Sequence, residues 1–234
     1  MRQIYFKDLG IIDYKTAWDI QEQLLKENVD IKTELRINPE NINNVVTKHH
    51  FLLCEHTPVY TLGKSGDMEN VLLSENELIE KNIEFFKTNR GGDITFHGLQ
   101  QIVGYPILDL EKIYTDIGKY LRNLEEVIIK TIAHYGIEGK RSIGETGVWL
   151  DAGINGKERK ICAIGVRCSR WVTMHGFALN VNTDLDYFKN IIPCGIKDKK
   201  VTSLKKELGL NVDFEEVKLL IKYNFEQVFE AKFI

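Results

Sequence analysis

Apolar and polar positions recur along this chain in two rhythms, one of period two and one near 3.6, and the alternation between them predicts the elements. Residues 3–6 (QIYF) predict a short strand. After Asp13, residues Tyr14, Ala17, Trp18, Gln21 and Leu24 fall on one helix face, while 27–46, rich in Asn and charge, reads as loop or frayed helix. HHFLLCEH (49–56) predicts a strand, and 55–67, with Pro58, Gly63 and Gly66, an extended stretch running into a loop. Ser74 and Glu77 stand at capping-box spacing before a short helix over 75–81, and 83–88 (IEFFKT) predicts a strand.

The stretch 90–110 reads as a glycine turn, a strand, a second glycine turn and a second strand, a hairpin-like unit. A helix over about 116–135 turns Ile117, Leu121, Leu124, Ile128 and Ile132 inward and stops at Gly136. Three consecutive strands follow at 147–153, 159–168 and 171–181, with Asn155-Gly156-Lys157 as the turn between the first two. A short helix covers 184–190. A last helix begins near Asp213, with Val217, Leu220, Ile221, Asn224 and Val228 on one stripe. Strands and helices are mixed without a strict βαβ rhythm, and no repeat or linker interrupts them. The reading is α+β: one domain over 1–234, a mixed or antiparallel sheet flanked by helices.

The 234 residues suffice for a core that needs no staple. Thirty-one basic against 34 acidic residues, a net charge of −3, argues against a nucleic-acid binder. The N-terminus lacks the pattern of a signal peptide, and no stretch has the length and apolarity of a membrane span, so a cytoplasmic location is expected. The four cysteines, Cys54, Cys162, Cys168 and Cys194, form no C-x-x-C pair. That spacing argues against zinc and against a disulfide framework, and no metal is expected. Cys54 reads as buried filler inside its strand.

Cys194 differs, because it lies between Pro193 and Gly195, where the chain can bend sharply. A loop thiol without a role and a nucleophile both fit that position. As a nucleophile it would need a nearby cation or free N–H groups to raise its thiolate fraction, and the Gly195 N–H could face a developing oxyanion. Lys160 reads either as a solvated strand end or as the group that sets the protonation of Cys194, with Arg159 and Arg167 adding like charge. Arg90 before Gly91-Gly92 is a candidate anion or carbonyl site. His97 and His175, each beside a glycine, are either structural or a base for Cys194.

Taken together, EHTPVYTLGK (55–64), RGGDITFHG (90–98), KICAIGVR (160–167), HGFALNVNTDL (175–185), PCGI (193–196) and VTSL (201–204) resemble the lipoyl(octanoyl) transferase family, in order and in spacing, over most of the chain. The resemblance implies the fold of biotin and lipoate protein ligases. It implies that octanoate passes from the phosphopantetheine thioester of octanoyl-acyl carrier protein to Cys194, then to a lysine ε-amine of a lipoyl domain. Acceptors would be the lipoyl domains of 2-oxoacid dehydrogenase complexes and the glycine cleavage H protein, with no cofactor and no ATP. It implies that Lys160 lowers the pKa of Cys194 and relays protons. The acyl pocket would be lined by Arg90, Gly91, Gly92, Asp93, Ile94, Thr95, Phe96 and His97, by Ala163, Ile164 and Gly165, and by Gly176, Phe177 and Ala178.

One departure stands out. Leu99-Gln100-Gln101 replaces the Pro-Gly-Gln usual in the family, which is expected to alter the loop closing the pocket. Three other readings compete with it: an ATP-dependent lipoate or octanoate ligase, a non-catalytic binding module and a Cys–His hydrolase. The ligase lacks its usual third glycine here, since Asp93 follows Gly91-Gly92, and would not need Cys194. Arg167, Arg170, Lys197, Lys199 and Lys200 are candidates to steer acidic partners.

Overall fold

The computed structural model describes residues 1–38, 46–192 and 200–234. Its elements, in chain order, are β1 (Arg2–Ile12), α1 (Tyr14–Ile37), β2 (His49–His56), β3 (Val59–Leu62), α2 (Glu75–Glu80), β4 (Glu84–Lys87), β5 (Ile94–His97), β6 (Gln101–Ile107), α3 (Ile117–Ala133), β7 (Val148–Leu150), β8 (Arg159–Ser169), β9 (Val172–Asn180), β10 (Lys200–Val201), α4 (Leu204–Leu208), α5 (Phe214–Phe229) and β11 (Ala231–Phe233). The main sheet runs β10-β8-β9-β6-β2-β1-β11, with β7 also on β8, and a smaller sheet runs β4-β3-β5. Parallel and antiparallel pairs mix: β2–β6, β6–β9 and β8–β9 are antiparallel, whereas β1–β2 and β8–β10 are parallel. The α+β reading with a mixed sheet therefore holds.

The central strands are buried on both faces, which is why they read as nearly continuous apolar runs. Successive side chains leave a strand on opposite sides. Phe51 and Leu53, with Phe177 and Leu179, pack under α3 and α5 against Leu124, Ile128, Ile221 and Phe225. Cys54, Val103, Tyr105 and Ala178 face the other way, toward α1. Each such Leu or Phe contributes ~1.5–3 kcal/mol by leaving water. Cys54 is fully buried, as its filler reading required.

The helices begin where the caps predicted. Asp13 accepts from the Thr16 N–H, Asp213 from those of Glu215 and Glu216, and Ser74 and Glu77 form a complete capping box.

Three expectations change. First, of the two readings of 27–46, loop or frayed helix, the structure gives regular helix as far as Ile37, where α1 ends. Its polar residues are held by tertiary partners: the Asn28 amide bridges the backbone N and O of Lys48 at 2.8 Å each, and Lys32 pairs with buried Asp109 at 2.7 Å. Second, β5 and β6 are not a hairpin. β5 pairs with β3 in the small sheet, and β6 with β2 and β9 in the main one, so the turn at 98–100 crosses between sheets. Third, β3, β10, β11 and α4 were not anticipated, being two to five residues long and held mainly by their neighbours.

A candidate acyl-binding chamber

A cavity of about 570 Å³ lies between the main sheet and the segment Arg90–His97. Its floor is made of small residues: Ala163 opposite Ala178 and Gly165 opposite Gly176, on adjacent strands β8 and β9. Backbone approaches closely at both glycines. A Cβ at Gly176 would stand 2.1 Å from the Gly104 carbonyl oxygen, and one at Gly165 2.7 Å from that of Gly91. Ile164 and Phe177 also border the cavity, although both belong to the core on the α3 side of the sheet.

Arg90, Gly91, Gly92, Asp93, Ile94, Thr95 and His97 form the opposing wall. The turn is tied to both sheets. The Gly91 N–H donates to Val166 O at 2.9 Å, and the Arg90 guanidinium donates to Thr61 O at 2.5 Å, to Thr61 Oγ1 at 3.0 Å and to Gly91 O at 3.0 Å. Arg90 thus braces the turn through its own backbone. Asp93 accepts from the Asn70 amide at 2.9 Å. Phe96 does not border the cavity. Its ring stacks on Tyr187, with centroids 4.5 Å apart, inside the small sheet's cluster.

Lys160 is at the outer end, beside exposed Gly144 and the residues Glu145, Thr146 and Val201. Its Nζ lies 4.5 Å from the centroid of the Trp149 ring, and its carbonyl accepts from the Thr202 N–H at 2.9 Å. Cys194, Lys197 and Lys199 lie outside the described residues. Ile192 N donates to Asn70 O at 2.9 Å, and β10 pairs with Arg159 and Lys160.

A directional hydrogen-bond relay runs beneath the wall. The Gln101 amide nitrogen donates to Phe96 O at 3.1 Å and to Asn180 Oδ1 at 2.8 Å, so its oxygen accepts from His97 Nδ1 at 2.9 Å. His97 Nε2 is then left to accept from Thr61 Oγ1 at 3.3 Å, and Thr61 accepts from Arg90. At the other end the Asn180 amide donates to Thr202 O at 2.9 Å. His97 is thereby fixed as a neutral tautomer, and burial, with His56 and Arg90 nearby, pushes its pKa well below the usual value.

His175 is also neutral, lowered to about 3 by burial and then by the charges of Arg90 and Arg167. An imidazole that weakly basic is unsuited to take a thiol proton near neutral pH. The alternative of a histidine base is therefore disfavoured for both residues.

The like charge expected around Lys160 is neutralised. Arg159 is paired with both carboxylate oxygens of Glu207, at 2.7 and 2.6 Å, and with Asp151. Arg167 pairs with Glu22 at 2.7 Å. Arg167 also sits seven positions along β8 from Lys160, and Arg170, at the hairpin tip beyond it, donates to Thr33 Oγ1 at 2.5 Å. Neither is placed beside Lys160 to steer a partner there. Lys200 is exposed at the outer end.

Neither Leu99 nor Gln100, the residues of the departure, borders the chamber, whereas the following Gln101 does. Gln100 adopts φ +61, the left-handed conformation that glycine takes most readily. Its N–H donates to Glu55 Oε2 at 2.6 Å, and its carbonyl accepts from Asn182 N at 3.1 Å and Thr183 Oγ1 at 2.9 Å.

Sequence reasoning missed Tyr14, Thr61, Gln101, Tyr105, Trp149 and Asn180. Asn180 ends the HGFALN run and Thr61 lies within EHTPVYTLGK, so both were inside quoted motifs. Tyr14 and Trp149 carried only a core signal. Among the described residues no three His, Cys, Asp or Glu side chains are grouped to hold a metal ion. Nor is any described helix long and apolar enough to cross a membrane.

Residues 13–226 match the family described as the lipoyl protein ligase A/B catalytic domain. The chain is 57% identical over 232 residues to an octanoyltransferase of Christiangramia forsetii, covering 99% of this chain and 97% of the relative. Its backbone resembles a bi-partite lipoate protein ligase of Thermoplasma acidophilum (TM-score 0.68, 15% identity, 100% and 85% of the two chains). It also resembles a biotin protein ligase of Aquifex aeolicus (TM-score 0.52, 13% identity, 98% and 71%). The fold is thus that of biotin and lipoate protein ligases, and the chain belongs to the lipoyl protein ligase A/B catalytic-domain family, as an acyltransferase of its octanoyltransferase group.

Proposed function

We propose that this acyltransferase, acting as one catalytic unit over 1–234 in the cytoplasm, moves octanoyl from octanoyl-acyl carrier protein to a lysine of lipoyl domains, with no cofactor and no ATP. The acceptors are the lipoyl domains of 2-oxoacid dehydrogenase complexes and the glycine cleavage H protein. The observation that carries the reading is Lys160 at the outer end of a chamber floored by Ala163, Gly165, Gly176 and Ala178. An unbranched alkyl chain fits against such a floor, and its carbonyl end would lie toward the lysine.

In the first half-reaction the Cys194 thiolate attacks the thioester carbonyl. The carbon–sulfur bond to phosphopantetheine breaks, and the departing thiolate takes a proton from the Lys160 ammonium. In the second half the neutral Lys160 amine takes a proton from the acceptor lysine as that nitrogen attacks the acyl-enzyme. An amide forms and the Cys194 thiolate is released. A nearby ammonium favours the thiolate, which supports the expected lowering of the Cys194 pKa. One thioester is exchanged for another before the amide forms, so no activation of the acid is needed.

Intact-mass spectrometry after mixing the protein with octanoyl-acyl carrier protein, without ATP, tests this. One added octanoyl group is expected, absent in Cys194→Ala and discharged by a lipoyl domain. Octanoylation of the domain only when free octanoate and ATP are supplied would replace the reading with that of a ligase.

A further inference from the structure

Lys160 borders the chamber because the pairing of β7 with β8 slips beside it. Val148 lies opposite Cys162, whereas Trp149 lies opposite Lys160 and Leu150 opposite Arg159, so Ile161 is an extra residue on β8, a bulge. The bulge changes which face each side chain takes. Cys162 and Ile164 pack in the cluster under α3, while Ala163 and Gly165 form the chamber floor. Strict alternation would carry Lys160 to the face of Cys162 and Ile164, and Ile161 to the chamber. Instead Ile161 is buried in the cluster under α3, and Lys160 borders the chamber with its Nζ over the Trp149 ring.

The strand facing the bulge is held from the α3 side by a buried carboxylate. Glu125, 0% exposed, accepts at Oε1 from the Gly147 N–H at 3.0 Å, and at Oε2 from Arg122 Nη1 at 2.6 Å and Arg141 Nε at 3.2 Å. Gly147 directly precedes β7 and takes φ +127, a conformation that side chains rarely allow. It is also tightly packed: a Cβ there would stand 2.6 Å from Cys162 O and 3.5 Å from Lys160 Cε. The Gly147 backbone thus flanks the methylene chain of Lys160, and its amide is tied to Glu125. Beyond it, Lys140 and Trp149 exchange backbone hydrogen bonds at 2.7 and 2.9 Å, closing a loop in which Gly144, Glu145 and Thr146 line the chamber beside Lys160. A buried carboxylate is costly to desolvate even when paired, and Leu124, Val127 and Ile128 show that apolar residues serve packing at this face of α3.

We infer that Glu125 is a positioning residue for acyl transfer: through Gly147 it holds the bulged register that turns Lys160 onto the chamber face. The consequence for catalysis rests on the role proposed for Lys160 above. Glu125 does not itself border the chamber, so it acts through the backbone it holds. The bond to Gly147 carries the effect, and Arg122 and Arg141 supply the charge that makes the carboxylate tolerable there.

The test compares Glu125→Met, Glu125→Asp and Glu125→Gln. Methionine removes the acceptor, and aspartate keeps the charge but withdraws it by one methylene. Glutamine keeps an oxygen for the Gly147 N–H and loses the ion pairs. The first readout is NMR. In the wild type the Trp149 ring should shift the Lys160 ε-methylene protons upfield, a signal assigned by its absence in Lys160→Arg. In the methionine and aspartate variants these resonances should move back toward the ordinary lysine position. The second readout is acyl-enzyme formation from octanoyl-acyl carrier protein, which should slow roughly tenfold in both, with the KM for the donor nearly unchanged. The glutamine variant should lose stability yet keep the ring-shifted resonances and most of the rate. The aspartate variant carries the comparison if the methionine variant fails to fold. Ring-shifted resonances retained in the methionine or aspartate variant, or equal rate losses in the aspartate and glutamine variants, make Glu125 merely structural and overturn the inference. Absence of octanoyl transfer by the wild type overturns the transferase reading instead, and the resonances still decide what holds Lys160.

Discussion

The Lys160 ammonium stands over the face of Trp149, 4.5 Å from the ring centroid, and the two residues are cross-strand partners on β8 and β7. The indole face attracts a cation and fixes where it stands, an interaction of ~0.5–2 kcal/mol. Trp149→Leu should therefore lower kcat by roughly tenfold, whereas Trp149→Phe, which keeps an aromatic face, should retain most of it. Trp149 is 2% exposed, so the leucine variant also loses ~2–4 kcal/mol of stability. Steady-state kinetics well below the Tm of both variants separate the two effects. Equal kcat in the leucine and phenylalanine variants would remove Trp149 from the positioning of Lys160.

Gly176 allows β9 to pass close to β6. A Cβ there would meet the Gly104 carbonyl oxygen at 2.1 Å and Pro106 Cδ at 2.7 Å, and backbone cannot swing aside as a side chain can. Gly176→Ala should cost ~2–4 kcal/mol. The strand shift that relieves the clash moves a floor residue of the chamber, so acyl-enzyme formation should fall further than folding alone explains. Urea unfolding with octanoylation measured on the folded fraction checks both. An alanine variant of wild-type stability would contradict the contact.

Gln100 carries the cost of a left-handed conformation in a residue with a Cβ, ~1–2 kcal/mol. Gln100→Gly relieves it but loses one hydrogen bond from the Asn182 amide and gains unfolded-chain entropy. The net expectation is a gain of ~0.5–1 kcal/mol with octanoyl transfer unchanged, since the position lies outside the chamber. A shift in acyl chain-length preference in this variant would show that the turn reaches the chamber after all.

Acid should destabilise the protein well before its carboxylates titrate. His49 and His56 are lowered to about 4 and His175 to about 3, each chiefly by burial, and His97 is also well below its usual value. In the unfolded chain all four titrate near 6.5, so below that pH the unfolded state binds more protons. The stability that neutral burial provides is complete above about pH 6.5. It is lost as pH falls toward about 4, at ~1.4 kcal/mol per pH unit for each group. Urea midpoints at pH 7.5, 6.5, 5.5 and 4.5 should fall steeply below 6.5, and less steeply in His56→Gln. A flat profile over that range would contradict the burial of these rings.

How much of this was legible in the sequence follows from where each signal is stored. Helix starts were readable, because Asp13, Ser74 and Asp213 bond to backbone within three residues of themselves. So were the central strands, because most residues of a strand buried on both faces are apolar whatever they pack against. The motifs around Arg90, Lys160 and His175 were visible as motifs, and the family they resemble is the one to which the chain belongs. Only the tertiary structure decided the pairings. The turn at 98–100 looks like a hairpin locally, yet β5 and β6 join different sheets, since strand registry is set by long-range partners. The second half of α1 reads as no more than loop or frayed helix because its stabilising contacts, Asn28 to Lys48 and Lys32 to Asp109, lie 20 and 77 residues away. The same holds for charge: Arg159 and Arg167 look like like-charge neighbours of Lys160 in one dimension, and Glu207 and Glu22 neutralise them in three. Local chemistry is written in neighbouring residues, but compensation, burial and tautomer depend on groups brought together by the fold.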